Sequence, residues 1–386
     1  MTIKTAHRLD TINEYYFSKK LKEIAEMNAA GKNVLNLGIG SPDLPPSVST
    51  VEKLIEMAQK PTSHAYSSYV GVPALREAMA AFYQKHYRVA LNPVNEVMPL
   101  LGSKEGIMHI CMTFLEAGDE ALIPNPGYPT YRSAVTLSGA TCVDYDLSES
   151  NNWLPNFDNL EKMDLSKVKL MFVNYPHMPT GAQCSKQDFQ DIVNFGRKHN
   201  LLIINDNPYS FILNDDPLSI LEAEGAKDVA LELNSLSKSH NMAGWRVGML
   251  CGNAAFLSDI LRFKSNMDSG MFLAVQMAAV EALNNDAAWY ADLNNIYRAR
   301  QQKVFELLEL LDCSFNRAQK GMFVFAKIPP QYLTGFELSD KILYESNVFI
   351  TPGGIFGSAG DAYVRVSLCA KVEVFDAAIK RITERS

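Results

Sequence analysis

The chain has 386 residues, of which 47% are hydrophobic and 20% are charged, and its formal net charge is −7 at pH 7. This composition is ordinary for a globular protein, so it argues against disorder, and the length predicts about two domains. The acidic balance argues against nucleic acid or an anionic membrane surface as the main partner.

The cysteines and the N-terminus indicate a cytoplasmic protein. The six cysteines form no CxxC pair and no dense framework, which is typical of reduced thiols in the cytosol. The start of the chain lacks the apolar stretch of a secretory signal peptide. No segment has about 18 consecutive apolar residues, so we expect no membrane span and a cytoplasmic location.

The N-terminal part begins with a polar arm and a helix within residues 1–33. A short strand within 34–40 then runs into Gly38 and Gly40. These glycines allow the backbone to approach a small ligand closely, although a simple tight turn would also explain them. Three prolines within 41–46 exclude a helix, so we expect an extended loop.

A helix over residues 47–60 follows this loop, with Ser47 or Ser49 as its expected N-cap residue. Tyr66 lies in the irregular loop after that helix, where it could serve only packing. Pro73 fits the first turn of the next helix.

A candidate phosphate site follows the strand predicted at 97–101. Gly102, Ser103 and Lys104 lie between this strand and a helix with a 3.6-residue period. The free N–H groups and the dipole at a helix start both favour an anion. An ordinary strand-to-helix turn is the alternative interpretation. Pro99 disfavours a regular strand here.

Tyr128 is a candidate ring-stacking residue. It follows the strand at 120–124 and lies between Pro126 and Pro129. An aromatic side chain between two prolines has few conformations, so it loses little entropy when it stacks on a planar ring. A rigid loop that packs on the core is the alternative.

Three later strands are apolar throughout, and polar residues follow each of them. Asn174, Asp206 and Lys238 follow the strands predicted at 168–173, 201–204 and 229–233. From Asn174 to Asp206 is 32 residues, and the distance from Asp206 to Lys238 is the same. This is about the length of one strand and its crossover helix. Strands of this kind indicate a sheet covered on both faces, and ligands bind at the carboxyl ends of its strands.

Lys238 lies in a small polar turn with Ser235 and Ser237, and Arg246 follows among glycines. In a desolvated cleft a lysine amine loses its proton more easily and can form a Schiff base with an aldehyde. Two serines and an arginine suit a phosphate. An aldehyde, a phosphate and a lysine together indicate pyridoxal phosphate (PLP). The alternative is an exposed lysine and arginine on a loop.

The C-terminal part is helical over 255–311, and an amphipathic helix over 289–311 is long enough to link two domains. Strands are predicted at 321–328 and within 348–357, where the glycines lack the spacing of a dinucleotide-binding loop. Arg365 alternates with apolar residues, so we expect it to point away from the apolar face of its strand. The alternative is a surface arginine on a half-exposed strand.

We expect no metal site, because no cluster of histidine, cysteine, aspartate and glutamate residues has metal-ligand spacing. The histidines are scattered and are expected to be structural: His109, His177, His199 and His240.

With these elements in place, the sequence resembles the class I/II aminotransferases of PLP fold type I over nearly its whole length. The matching motifs are Gly38-Ile39-Gly40-Ser41-Pro42-Asp43, Asp206-x-x-Tyr209, Ser235-x-Ser237-Lys238, Gly244-Trp245-Arg246 and Tyr363-Val364-Arg365. Within the family, segments 102–106 and 268–272 resemble the LL-diaminopimelate aminotransferase group most.

The resemblance implies an α/β fold. A mostly parallel, seven-stranded type of sheet covered by helices would form a large PLP-binding domain over 47–285. A smaller α+β domain would come from both termini, with 1–46 as the N-terminal arm and part of this domain and 286–386 as its C-terminal part.

The resemblance also implies the catalytic roles. Lys238 would hold PLP as a Schiff base and then move a proton between the substrate Cα and the cofactor C4′. Asp206 would pair with the pyridinium nitrogen, and Tyr209 would donate to the 3′ oxygen of the ring.

Further contacts follow from the same resemblance. Arg365 would clamp the substrate α-carboxylate, and the backbone N–H of Gly40 would assist. Tyr66 matches a tyrosine that reaches the phosphate of the partner subunit, which implies a homodimer with shared sites. The cofactor-binding set is Ser103, Lys104, Tyr128, Met178, Asp206, Tyr209, Ser235, Ser237, Lys238, Arg246 and Tyr66.

Met178 departs from the family pattern. The segment 174–181 usually ends in Asn-Pro-Thr-Gly, and that asparagine bonds the 3′ oxygen. A thioether has no donor and is a weak acceptor. We expect weaker positioning of the ring and a changed pKa of the Schiff base. His177 could replace the asparagine only if the loop shifts.

The leading functional hypothesis is an aminotransferase that uses an amino acid and a 2-oxo acid, with glutamate and 2-oxoglutarate as one pair. The alternative is a PLP-dependent C–S β-lyase, and a non-enzymatic PLP-binding protein is a third class. Segment 268–273 carries no arginine, which disfavours a simple dicarboxylate preference. Met271, Phe272 and Tyr15 or Tyr16 are candidates for a more apolar pocket.

Overall fold

The computed structural model describes residues 3–10, 12 and 16–385. The helices are α1 (Tyr16–Ala29), α2 (Val48–Ala58), α3 (Pro73–Tyr87), α4 (Ser103–Phe114), α5 (Pro129–Ser138), α6 (Phe157–Leu160), α7 (Lys186–His199), α8 (Ala226–Val229), α9 (Leu236–Ser239), α10 (Ala254–Lys264), α11 (Leu273–Leu283), α12 (Ala287–Leu310), α13 (Gly335–Ser346) and α14 (Val372–Thr383). The strands are β1 (Leu35–Asn36), β2 (Val97–Leu100), β3 (Glu120–Asn125), β4 (Thr141–Asp146), β5 (Val168–Val173), β6 (Leu202–Asp206), β7 (Ala230–Ser235), β8 (Gly248–Gly252), β9 (Phe323–Lys327), β10 (Val348–Phe349), β11 (Thr351–Pro352) and β12 (Tyr363–Ser367).

The central sheet has seven strands in the order β2-β8-β7-β6-β5-β3-β4, and only β8 runs antiparallel to its neighbours. Successive residues of its strands enter two different hydrophobic clusters, one on each face, so helices cover both sides. This confirms the predicted α/β fold with a mostly parallel sheet.

A second core joins the two ends of the chain. β1 pairs in parallel with β10, and β9, β11 and β12 form a separate antiparallel sheet. Phe17 and Val34 lie in one hydrophobic cluster with residues of α12, β9, β12 and α14. The N-terminal segment therefore packs with the C-terminal part, while the predicted domain boundaries stay a prediction.

One local prediction is corrected by the structure. Ser47 precedes α2, but its hydroxyl lies 2.7 Å from the Thr50 hydroxyl and caps no backbone N–H. The strand predicted at 97–101 is present as β2 and includes Pro99, since β2 is an edge strand where a missing N–H costs little. Ser185 and Asp188 form a capping box at the start of α7.

The carboxyl ends of β5, β6 and β7 lie side by side and turn toward the second core, so this edge of the sheet holds the site. None of the helices in the described residues is long and apolar enough to cross a membrane.

Candidate active site

A cavity of about 560 Å³ lies at the carboxyl ends of these strands. It brings together residues that are far apart in the sequence, and all the predicted site residues except Tyr66 line it. They are Gly40, Ser103, Lys104, Tyr128, Met178, Asp206, Tyr209, Ser235, Ser237, Lys238, Arg246 and Arg365.

Lys238 lies in the single turn of α9, directly after β7. Its Nζ donates to the carbonyl of Gly40 at 2.7 Å. Burial lowers the pKa of this amine below its ordinary value, and the positive charges of Arg365 and Arg246 act in the same direction. The neutral amine that a nucleophile requires is therefore favoured.

Asp206, the last residue of β6, has one carboxylate oxygen with a partner and one without. Tyr131 donates from its hydroxyl to Oδ2 at 2.9 Å, whereas the buried Oδ1 has no hydrogen-bond partner among the described residues. Burial raises the pKa of Asp206 to about 7, while the hydrogen bond from Tyr131 opposes this rise. A buried carboxylate oxygen without a partner fits a protonated ring nitrogen.

Tyr131 was not identified from the sequence. It lies in the first turn of α5 and stacks on Phe172 of β5 with ring centroids 4.8 Å apart. Its place three residues after Tyr128 is the only sequence signal, and it does not distinguish a functional tyrosine from a packing one.

The turn before α4 is shaped as an anion cradle. Gly102 has φ +89°, and a Cβ built there would lie 2.1 Å from Arg246 Nη2. A Cβ at Gly248 would lie 2.7 Å from the backbone nitrogen of Ser103. Glycine is therefore required at both positions, and the N–H groups that begin α4 face the same region as the arginine.

The serines of the Lys238 turn complete this cradle. Ser235 Oγ donates to Ser237 Oγ at 2.8 Å, and both residues line the cavity. Burial lowers the pKa of Lys104, and the charge of Arg246 adds to this effect. Two cations and two hydroxyl groups at a helix N-terminus can hold a phosphate.

Arg365 is buried, so the alternative of a surface arginine is wrong. The prediction that it points away from the apolar face of its own sheet holds, but aromatic rings cover the opposite side as well. Its guanidinium carbon lies 3.9 Å from the ring centroid of Phe323 and 4.6 Å from that of Phe356. Its Nη2 donates to the carbonyl of Gly38 at 2.9 Å.

Met178 lies beside this arginine, with its Sδ 3.2 Å from Arg365 Nη1. Its backbone N–H donates to Asn174 Oδ1 at 2.8 Å. His177 does not replace the missing asparagine, because its Nδ1 lies 2.8 Å from Thr180 Oγ1 and its ring does not line the cavity. Burial lowers the pKa of His177 to about 3, so this histidine is neutral.

Two neighbouring loops lie outside the cavity of a single chain. Tyr66 is 92% exposed, and a Cβ built at Gly270 would lie 2.7 Å from the carbonyl oxygen of Ser67, so the two loops are in contact. Met271 packs into the core of its own chain, and Phe272 stacks on His64.

The predicted apolar wall is therefore corrected. Met271, Phe272 and Tyr16 do not line the cavity, and Tyr15 lies outside the described residues. Helix α1 supplies Phe17, Ser18 and Leu21 instead.

One acidic and histidine cluster was missed, because Asp268 is distant in sequence from Glu105 and His109. Ligand atoms of these three residues lie within 4.8 Å of one another. Lys264 Nζ already lies 2.7 and 2.9 Å from the two carboxylate oxygens of Asp268. The cluster is an ion-pair network that joins α4 to the loop before α11.

Comparison with known proteins agrees with this geometry. The family model "Aminotransferase class I and II" matches residues 32–382. An LL-diaminopimelate aminotransferase of Dehalococcoides mccartyi is 41% identical over 382 residues, which cover 98% of each chain. An LL-diaminopimelate aminotransferase of Oleidesulfovibrio alaskensis is 39% identical and also covers 98% of each chain. The substrate-bound structure of BacF from Bacillus subtilis is 38% identical, has a TM-score of 0.94 and covers 100% of this chain and 98% of its own.

Proposed function

Since the chain belongs to the class I and II aminotransferases, we propose that glutamate and 2-oxoglutarate form one of the two substrate pairs of this PLP-dependent transaminase. One observation supports this function most: Lys238, the Oδ1 atom of Asp206 and the guanidinium of Arg365 meet in one cavity. When bound, PLP supplies a positively charged ring that withdraws the electrons of the Cα–H bond.

The residues present fit this cofactor. Asp206 would hold the protonated ring nitrogen through its buried Oδ1. Tyr128 would lie against the ring, and Tyr209 would donate its hydroxyl to the 3′ oxygen, since burial raises its pKa and keeps it protonated. The phosphate would bind the backbone of Lys104 and the side chains of Ser103, Ser235, Ser237 and Arg246. Gly102 and Gly248 leave this space open, because a Cβ at either position would collide with Arg246 or Ser103.

Lys238 would take the proton from the substrate Cα and return it. Its lowered pKa favours the neutral base, and its position opposite Gly40 places it between the cofactor cradle and the Arg365 side of the cavity. Arg365 would bind the α-carboxylate in a surrounding of aromatic rings, where a paired charge is strongly held.

Only glycine fits at position 40. A Cβ built there would lie 2.3 Å from Phe323 Cζ, so a side chain would collide with the ring beneath Arg365. This supports a role of the Gly40 backbone in binding the same carboxylate.

The C–S β-lyase hypothesis gains no support. It was based on the changed surroundings of the 3′ oxygen at Met178, and the matched relatives are named aminotransferases. A non-enzymatic binding protein is disfavoured by the same family membership and by the joint presence of Lys238, Asp206 and Arg365 in the cavity.

The test is substitution of Lys238. Lys238→Ala should lower amino transfer from glutamate to a 2-oxo acid by at least about 100-fold, because the proton carrier is lost. Lys198→Ala is the matched control, since Lys198 pairs with Glu161 on the surface, and it should keep the wild-type rate. Full turnover by Lys238→Ala would exclude the proposed role.

A further inference from the structure

Among the described residues, the substrate side of the cavity has no charged side chain beyond those assigned to the cofactor, the amine and the α-carboxylate. Among the described residues that line the cavity, the charged side chains are Lys104, Asp206, Lys238, Arg246 and Arg365. Asp206, Lys238, Arg246 and Arg365 have a place in holding the cofactor, the catalytic amine or the α-carboxylate, and the Lys104 ammonium lies near Arg246 at the phosphate cradle. The wall that remains near Arg365 is mainly apolar: Phe17, Leu21, Ile39, Phe323 and Phe356, with Ser18.

These apolar groups lie where a substrate side chain must leave the α-carbon. The guanidinium of Arg365 is 5.7 Å from the ring centroid of Phe17 and 4.6 Å from that of Phe356. Leu21 lies one helical turn after Phe17 on the same face of α1, and it is 43% exposed at the mouth of the cavity. An apolar strip therefore extends from the carboxylate clamp to the opening.

Nearby cations are held elsewhere. Lys20 of α1 is bound to Glu23 at 2.8 Å and to Asp340 at 3.2 Å. Arg300 is bound to both carboxylate oxygens of Asp43. Neither side chain could turn toward a distal carboxylate of a substrate without breaking a partly buried ion pair.

The loops that a partner subunit would contribute also offer no cation. Segments 66–70 and 268–272 contain no lysine or arginine, and they expose Tyr66, Tyr69 and Phe272. Asp268, their single charged residue, is already paired with Lys264. A dimer would thus add aromatic side chains to the site rather than a second positive group.

We propose that the second substrate pair is an α-amino acid with a large apolar side chain, aromatic or long aliphatic, and the corresponding 2-oxo acid. This inference rests on the proposed aminotransferase function. Burial of such a side chain stabilises the complex, whereas a distal charge without a partner would be costly to bury. LL-diaminopimelate carries both an ammonium and a carboxylate at its far end, and the described residues of this wall offer neither of them a charged partner.

Amino transfer to 2-oxoglutarate is balanced in atoms and electrons. The apolar amino acid gives up its amino group and its Cα hydrogen and gains the oxo oxygen that 2-oxoglutarate loses. The γ-carboxylate of glutamate would stay hydrated at the mouth, so the KM of glutamate should exceed that of the best apolar amino acid by at least about tenfold.

A donor panel on the PLP-loaded protein tests the proposal. With 2-oxoglutarate as acceptor, kcat/KM for phenylalanine, leucine or methionine should exceed that for LL-diaminopimelate and aspartate by at least about tenfold. A preference of similar size for LL-diaminopimelate would overturn the inference and leave the aminotransferase function intact. No amino transfer from any of these donors to 2-oxoglutarate, and none from glutamate to phenylpyruvate, would instead overturn the proposed function.

Binding of unreactive acids gives a second readout that does not need turnover. 3-Phenylpropionate should bind the loaded protein at least about tenfold more tightly than glutarate, as measured by titration of the cofactor absorbance. Equal affinity of the two acids would contradict an apolar wall.

Variants of α1 test whether this helix determines the preference for apolar donors. Leu21→Ala should lower kcat/KM for the best apolar donor by about tenfold and leave alanine as a donor unaffected, because a small side chain does not reach the mouth. Leu21 is partly exposed, so this variant should fold normally. Phe17→Ala makes the same test at the buried end of the apolar strip, beside Arg365. Lys22→Ala on the exposed side of the same helix is the matched control. An equal loss for alanine and the apolar donor would contradict the assignment.

Discussion

At Asp206, burial and a hydrogen bond from Tyr131 have opposite effects on the pKa of the carboxyl group. Tyr131 donates to Oδ2, and burial raises the pKa of the carboxyl to about 7. The proposed contact to the ring nitrogen requires the ionised form, so protonation of Asp206 competes with binding of the cofactor.

Cofactor affinity should therefore fall as the pH drops through about 7, since Asp206 takes up a proton in the cofactor-free protein. Tyr131→Phe removes the hydrogen bond that lowers this pKa, so the loss should begin at a higher pH and affinity near neutrality should fall by about tenfold. The measurement is the PLP dissociation constant as a function of pH.

Tyr145→Phe provides the control for this prediction. Tyr145 is also buried and donates to a backbone carbonyl, that of Phe172, but it does not line the cavity. The Tyr145→Phe variant should be less stable than the wild type, but the pH dependence of its PLP dissociation constant should not change. If both variants shift the profile equally, the effect is structural and Asp206 is not tuned by Tyr131.

At Met178, the chain exchanges an amide for a thioether. The sulfur lies against Arg365, so it fills the space without donating to a cofactor oxygen. Tyr209 would then be the side chain left to bond the 3′ oxygen. This position remains the clearest difference from the family pattern.

Among the structural elements, the loop after β1 connects the two sides of the site. The carbonyl of Gly38 accepts from Arg365 and that of Gly40 accepts from Lys238. A few residues later, Asp43 forms a bidentate pair with Arg300 of α12 at 2.7 and 2.8 Å. The pair fixes a segment that touches both functional side chains.

Arg300→Met should therefore impair substrate binding as well as stability. Loss of one partner from a buried pair costs about 3–5 kcal/mol, and the released loop should raise the KM for amino donors more than it lowers kcat. Arg298→Met is a matched control on the same helix, because Arg298 pairs with Asp215 on the surface. The kinetic constants and the thermal midpoint of both variants check this prediction.

Asp43→Asn is a second variant that tests the same ion pair if Arg300→Met folds poorly. It retains one acceptor for Arg300 and should give a smaller change in the same direction. A lower thermal midpoint with unchanged KM in both variants would show that the pair serves stability alone.

At the scale of the whole molecule, two exposed aromatic loops are candidates for a subunit interface. Tyr66 and Phe272 lie on two loops in contact and do not line the cavity of their own chain. We propose a homodimer in which Tyr66 reaches the phosphate of the neighbouring subunit.

Sedimentation should then give about twice the chain mass of 42.9 kDa. Phe272→Asp places a charge on the proposed interface and should shift the protein toward a monomer with weaker cofactor binding. Leu333→Asp, at an 83% exposed position of the C-terminal part, should leave the mass unchanged. A monomeric wild-type protein would refute the shared-site proposal.

Much of this protein follows from the sequence by itself. Apolar strands at regular spacing predicted the parallel sheet, and the polar residues after β5, β6 and β7 predicted the edge that holds Asp206 and Lys238. These features are local and periodic, so they can be predicted from the sequence alone. The motifs around Lys238 and Arg365 predicted the family in the same way.

Only the tertiary structure decided which surfaces cover these groups. Arg365 is buried because Phe323 and Phe356 pack on it, and no alternation along one strand contains that information. Tyr131 reaches Asp206 across 75 residues, and Phe17 reaches the cavity through the pairing of the chain's two ends. Contacts between distant segments depend on packing rather than on local sequence pattern. The sequence therefore predicted the cofactor chemistry, whereas the residues that line the substrate side of the cavity were seen only in the tertiary structure.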